Sequence, residues 1–169
     1  MLAGGGGESS VGSRIAFRPC RAQLLRTNRV QPAAAKPIVL VDDEKSYNDL
    51  LRSMLAEHLD CPVYGFSRPS EALQVISTLD PGVIVTDYFM PEMNGFEFIR
   101  RAAPLAPGAN FVMISGNNLS GETETMARLP NFKALLPKPF GWAKLADEIL
   151  RAWPAGLTPP ARRERPSTA

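Results

Sequence analysis

Five times along the chain, a short unbroken apolar run gives way to a longer stretch with apolar residues at every third or fourth position. The runs are "PIVLV" (37–41), "PVYGF" (62–66), "GVIVT" (82–86), "NFVMIS" (110–115) and "KALLP" (133–137). The first is the signature of a strand buried on both faces, the other four are read as strands, and the lack of in/out alternation supports parallel pairing. After the first, Tyr47, Leu50, Leu51, Met54, Leu55 and Leu59 recur at helical spacing, predicting a helix from Glu44 to Leu59. A second helix is expected over "SRPSEALQVIS" (67–77), with Ser67 as cap and Pro69 in the first turn. A third runs from Gly95 to Ala102, ended by Pro104 and Pro107, and a weak fourth from Glu122 to Leu129. The last extends from Trp142 to Trp153, with Trp142, Leu145, Ala146, Ile149 and Trp153 on one face and Pro154 as its stop. Strand-then-helix units repeated five times imply an α/β domain: a five-stranded parallel sheet with helices on both faces.

The ends of the chain lack this pattern. "MLAGGGGESSVGS" is too poor in apolar residues to offset the entropy of ordering it. "PAGLTPPARRERPSTA" holds four prolines and no periodicity. The expected organisation is a basic, disordered segment over residues 1–35, one domain over 36–154, and a Pro/Arg-rich disordered segment over 155–169. The absence of acids from Ser9 to Val41 also resembles a transit peptide in composition, but a disordered tail is the simpler expectation.

Charge sharpens the division. Residues 1–35 carry five Arg and one Glu, residues 157–169 three Arg and one Glu, whereas residues 36–156 carry eleven Lys/Arg against fifteen Asp/Glu. The domain is therefore acidic, which argues against direct nucleic-acid binding by it. Cys20 and Cys61 form no metal-ligand pair, as expected of a reduced, cytoplasmic protein. No stretch approaches the roughly 18 apolar residues of a membrane span.

In doubly wound sheets the functional crevice lies beyond the carboxyl ends of the strands. The residues falling there are Asp42, Asp43 and Glu44 after the first strand, Asp87 after the third, Ser115 and Gly116 after the fourth, and Lys138-Pro139 after the fifth. Carboxylates without nearby His or Cys suit a hard cation such as Mg²⁺. A hydroxyl and an ammonium beside them complement a phosphoryl group.

The set "VDDE" (41–44), "TDYFMPEMNG" (86–95), "MISG" (113–116) and "LPKPF" (136–140) resembles the receiver domain of two-component response regulators, over residues 37 to about 153. The resemblance implies a flavodoxin-like (βα)5 fold. It also implies that Asp87 is the phosphoacceptor, taking a phosphoryl group from a histidine kinase or histidine phosphotransfer protein. Asp42, Asp43, Asp87 and the backbone carbonyl of Phe89 would hold Mg²⁺, and Ser115 and Lys138 would bind phosphoryl oxygens. The Lys138-Pro139 peptide would be cis. Such a domain is not an enzyme beyond its own phosphorylation and dephosphorylation. The expectation is a stand-alone bacterial receiver, monomeric or weakly dimeric, acting through an unknown downstream protein or relaying the phosphate, with no membrane partner.

Several features depart from the family pattern or compete with it. Leu135 occupies a position where many receivers carry an aromatic residue, which leaves open a phosphorylation-independent interaction module. Phe89, two residues after Asp87, is expected to shield the site from hydrolytic water. The same residue argues against a Mg²⁺-dependent phosphohydrolase, which needs a second acid there as proton donor. Ser46, Asn48 and Asp49 are expected to form an exposed contact for the phosphodonor. His58 is expected to be a surface or partly packed residue with no phosphohistidine role.

Overall fold

The computed structural model describes residues 35–163. The basic segment expected to be disordered, apart from Ala35, lies outside the described residues together with Cys20, as do residues 164–169. Strands β1 (Ile38–Val41), β2 (Val63–Phe66), β3 (Val83–Asp87), β4 (Asn110–Ser115) and β5 (Phe132–Pro137) form one sheet in the order β2-β1-β3-β4-β5. Every pairing is parallel. The helices are α1 (Lys45–His58), α2 (Pro69–Leu79), α3 (Gly95–Ala102), α4 (Thr123–Ala127) and α5 (Trp142–Arg151).

The sheet divides the interior in two. Ile38, Leu40, Val83, Val85, Val112 and Ile114 face α1 and α5, packing on Leu51, Leu55, Leu145 and Ile149. Their neighbours Val39, Val41, Ile84, Phe111 and Met113 face the other way, onto Ala72 and Ile76 of α2 and Phe98 and Ile99 of α3. Side chains of a strand alternate between faces, so a strand buried in both layers must be apolar at every position. None of the described helices is long and apolar enough to cross a membrane.

Three local expectations are corrected. Ser67 does not cap α2: the N-cap residue is Arg68, without a side-chain cap bond. The orphan amide of Ser70 instead donates to the Glu92 carboxylate at 3.1 Å, and Arg68 Nε donates to the same group at 3.0 Å. The fourth helix is shorter than expected, five residues led in by a 3₁₀ turn at Ser120–Glu122. Finally, the stretch after Trp153 is not structureless throughout. The Asp60 amide donates to the Ala161 carbonyl at 2.8 Å, and the Arg163 amide to the His58 carbonyl at 2.8 Å. Leu59 and Arg162 form an antiparallel bridge, Pro160 is buried, and Arg163 and Arg162 pair with Asp60 and Asp147. Prolines forbid a helix here, but they do not prevent an extended strap from docking.

Candidate functional site

The sheet order reverses between β2 and β3, so β1 and β3 end side by side at the topological switch point. Val41 is in register with Thr86, which sets the Asp42–Asp43 loop next to Asp87. The carboxylates of Asp42, Asp43 and Asp87 each offer an oxygen within 4.8 Å of the others. Asp42 is 2% exposed, Asp87 is 7% exposed, and Asp43 lies at the exposed rim.

Each buried acid is fixed by backbone. Asp42 Oδ1 accepts from the Glu44 amide at 2.9 Å, and Asp87 Oδ1 accepts from the Tyr88 amide at 2.9 Å. Lys138 reaches in from the end of β5, its Nζ 2.9 Å from Asp42 Oδ2 and 3.4 Å from Asp87 Oδ2. The Lys138-Pro139 peptide is cis, as the resemblance implies.

Around this group opens a cleft of about 430 Å³, lined by Asp42, Asp43, Glu44, Asp87, Phe89, Gly116, Asn117 and Lys138. Four carboxylates face one ammonium there, a net formal charge of −3. Burial pushes the Asp87 carboxyl above its ordinary range; Lys138 opposes this, and Asp42 adds to it. Burial pulls Lys138 down, but the hydrogen bond and charge of Asp42, with Asp87 behind them, outweigh it and leave the ammonium above its usual value. A cluster of hard oxygen donors whose buried acid resists ionising suits a divalent cation of the Mg²⁺ kind.

Ser115 is placed differently from the others. It is 2% exposed and absent from the cleft lining. Its Oγ accepts from the Asn117 amide at 3.0 Å and donates to the Asn117 carbonyl at 3.2 Å, so the hydroxyl is occupied by its own turn. Asn117 lines the wall instead, a role with no signal in the sequence. Phe89 is 72% exposed at the mouth.

Two residues of α1 take places that the sequence does not announce. Asn48, expected among the exposed donor contacts with Ser46 and Asp49, is 3% exposed. Its Nδ2 donates to the carbonyls of Asp42 at 3.2 Å and Phe66 at 2.7 Å, tying the acidic loop to the end of β2. A Cβ at Gly65 would come within 2.7 Å of Asn48 Oδ1, so that edge of the sheet must stay bare. Tyr47, in sequence only an apolar position of the helix, lies under Lys138, with its ring centroid 4.9 Å from Nζ.

Tight approach also explains Gly95. Among the described glycines only Gly156 has a positive φ, so Gly95 does not serve an unusual backbone angle. Gly95 starts α3 hard against the site: a Cβ would fall 2.7 Å from the Asp87 carbonyl oxygen and 3.0 Å from Tyr88 Cα. Asn94 caps the helix there, its Oδ1 accepting from the Glu97 amide at 2.9 Å.

Comparison with known proteins agrees with this architecture. The chain is 33% identical over 120 residues to protein-glutamate methylesterase/protein-glutamine glutaminase 2 of Burkholderia thailandensis, an alignment covering 66% of this chain and 33% of that protein. The chain thus matches about a third of that relative's length. It is 34% identical over 111 residues to an uncharacterized 14.6 kDa protein of Leptolyngbya boryana, covering 65% of this chain and 84% of that one. Among solved structures, the CheY-like response regulator receiver domain protein of Methanospirillum hungatei superposes with a TM-score of 0.62 at 24% identity, covering 69% of this chain and 91% of that one. The sequence model of the response regulator receiver domain matches residues 38–150, which span all five strands and nearly all of α5. With that match over most of the chain and the acids and lysine gathered at the strand tips, this chain belongs to the response regulator receiver domain family.

Proposed function

We propose that this chain accepts a phosphoryl group on Asp87 from a phosphohistidine of a histidine kinase or phosphotransfer protein, and signals the change to a downstream protein. The observation that carries this reading is the position of the Asp87 carboxylate, at the tip of a central strand between an acidic pair and Lys138. In the transfer, an Asp87 oxygen forms a bond to phosphorus as the P–N bond breaks, and the imidazole departs as the leaving group. Asp42, Asp43, Asp87 and the Phe89 carbonyl would hold Mg²⁺, which supplies positive charge to the phosphoryl oxygens when bound. Lys138 pairs with a second phosphoryl oxygen and must loosen its contact with Asp42 to do so. Ser115 offers its hydroxyl only after leaving Asn117, a rotation that would couple phosphorylation to the β4–α4 loop.

The test is Mg²⁺-dependent labelling by acetyl phosphate and by a panel of histidine kinases, for the wild type and Asp87→Asn. A base-labile phosphoryl group that requires Mg²⁺ and vanishes in the variant is the expected result. A folded wild type that no donor labels would overturn the reading in favour of a phosphorylation-independent interaction module.

A further inference from the structure

Lys138 stands between two acids that draw it in different directions. An ammonium on a flexible four-carbon stem tends to settle on the nearest carboxylate, here Asp42 at 2.9 Å rather than Asp87 at 3.4 Å. Its third neighbour is uncharged: the Tyr47 ring, 4.9 Å from Nζ to centroid. A cation at that distance over an aromatic face is attracted by the ring's π-electrons.

The ring itself is well fixed. Tyr47 lies in the first turn of α1 and meets Phe140 edge to face, with centroids 6.3 Å apart and planes at 64°. Phe140 follows Lys138 by two residues, so the same loop supplies the cation and the buttress for the ring beneath it. Both aromatics are partly buried and pack on the core between the sheet, α1 and α5. A ring held by Phe140 and on its core side presents its face to the ammonium at little further entropic cost.

We propose that Tyr47 is a positioning residue for phosphoryl acceptance: its π-face holds the Lys138 ammonium, hydrogen-bonded to Asp42, within reach of a phosphoryl group on Asp87. The proposal rests on Asp87 being the phosphoacceptor. It assigns the role to the ring face and not to the phenolic hydroxyl. Tyr47→Phe should therefore keep the rate of phosphorylation by acetyl phosphate to within about twofold, and Tyr47→Leu, which still fills the core, should lower it about tenfold. A residue that served only to pack would treat Phe and its fluorinated analogues alike. Here, stepwise fluorination of Phe at position 47, which drains the π-face without changing its shape, should lower the rate stepwise.

A second readout needs no phosphoryl group. In the protein carrying ¹³C-lysine, with the signal assigned through Lys138→Arg, the ring should shift the Lys138 ε-CH₂ protons upfield. The shift should persist in Tyr47→Phe and disappear in Tyr47→Leu. An unshifted Lys138 signal in the wild type would overturn the proposal. So would a wild-type rate in Tyr47→Leu while Asp87→Asn is inactive, or a flat fluorination series. Labelling that survives in Asp87→Asn would instead overturn the phosphoacceptor reading, and this role for Tyr47 with it.

Discussion

Asp87 is nearly buried, and burial raises its carboxyl above the ordinary carboxylate range. The folded chain therefore binds that proton more tightly than the unfolded chain does. By linkage, the favourable contribution of Asp87 is complete below its unfolded-state pKa and is lost as pH rises through the folded-state value. At neutral pH in a chelator, Asp87→Asn should be more stable than wild type by roughly 1 kcal/mol, since it removes a poorly compensated buried charge. Urea unfolding checks this, and the gap should narrow as pH falls through the titration of Asp87. At the mouth of the same cleft, Phe89 exposes most of its ring. A bulky apolar group there hinders an attacking water, so Phe89→Asn should speed spontaneous loss of the phosphoryl group by about tenfold or less, a difference on the order of 1 kcal/mol. Decay of the isolated phosphoprotein measures it, and an unchanged half-life would remove Phe89 from the account.

Individual elements differ in how plainly their sequence announces them. The central strands β1, β3 and β4 are legible because a position buried in two layers admits almost nothing but apolar residues, and the break from "VIVT" to Asp87 marks a strand tip directly. The acids and Lys138 can be placed together because parallel connectivity sends every strand's carboxyl end to one side. Side-chain direction is not legible in the same way. Asn48 looks in sequence like a solvent-facing polar residue, yet two carbonyls brought in by β1 and β2 draw it inward. The α2 amide end is satisfied by Glu92, more than twenty residues away, so no local motif could reveal it. Gly95 belongs to the same class, because its need is for space beside a strand it does not adjoin in sequence. Gly95→Ala should cost about 1–3 kcal/mol by overpacking. Unlike a substitution in a distant helix, it should also lower the phosphorylation rate, because the atom it strikes is the Asp87 carbonyl oxygen. Thermal unfolding and initial labelling rates together distinguish the two effects.

At the scale of the whole molecule, the strap over residues 155–163 joins the carboxyl end of α1 to α5. It adds two backbone hydrogen bonds and covers the end of a helix whose first turn carries Tyr47. Shortening the chain to residue 154 should destabilise the domain by about 1–3 kcal/mol, at roughly 1 kcal/mol net for each lost hydrogen bond plus the newly exposed apolar surface. The denaturant midpoint should fall while the slope stays nearly constant. The site acids and Lys138 lie at the opposite ends of the strands from His58 and Asp60, so labelling of the shortened protein that still folds should be close to that of the full chain.

The partition of the interior by the sheet has an optical consequence. The chain has two tryptophans, Trp142 and Trp153, and both belong to the layer of α1 and α5. Trp142 stacks on His58 with centroids 4.0 Å apart, and Trp153 is buried beside Gly82. Intrinsic emission therefore samples only one side of the sheet. Rearrangement of α3 or α4 that does not displace the sheet should therefore be dark, whereas displacement of Tyr47 and Phe140, which pack in the same layer as both indoles, should be visible. A spectral change on phosphorylation would thus assign the movement to the α1 and α5 side, and silent emission from a fully labelled protein would assign it to the other.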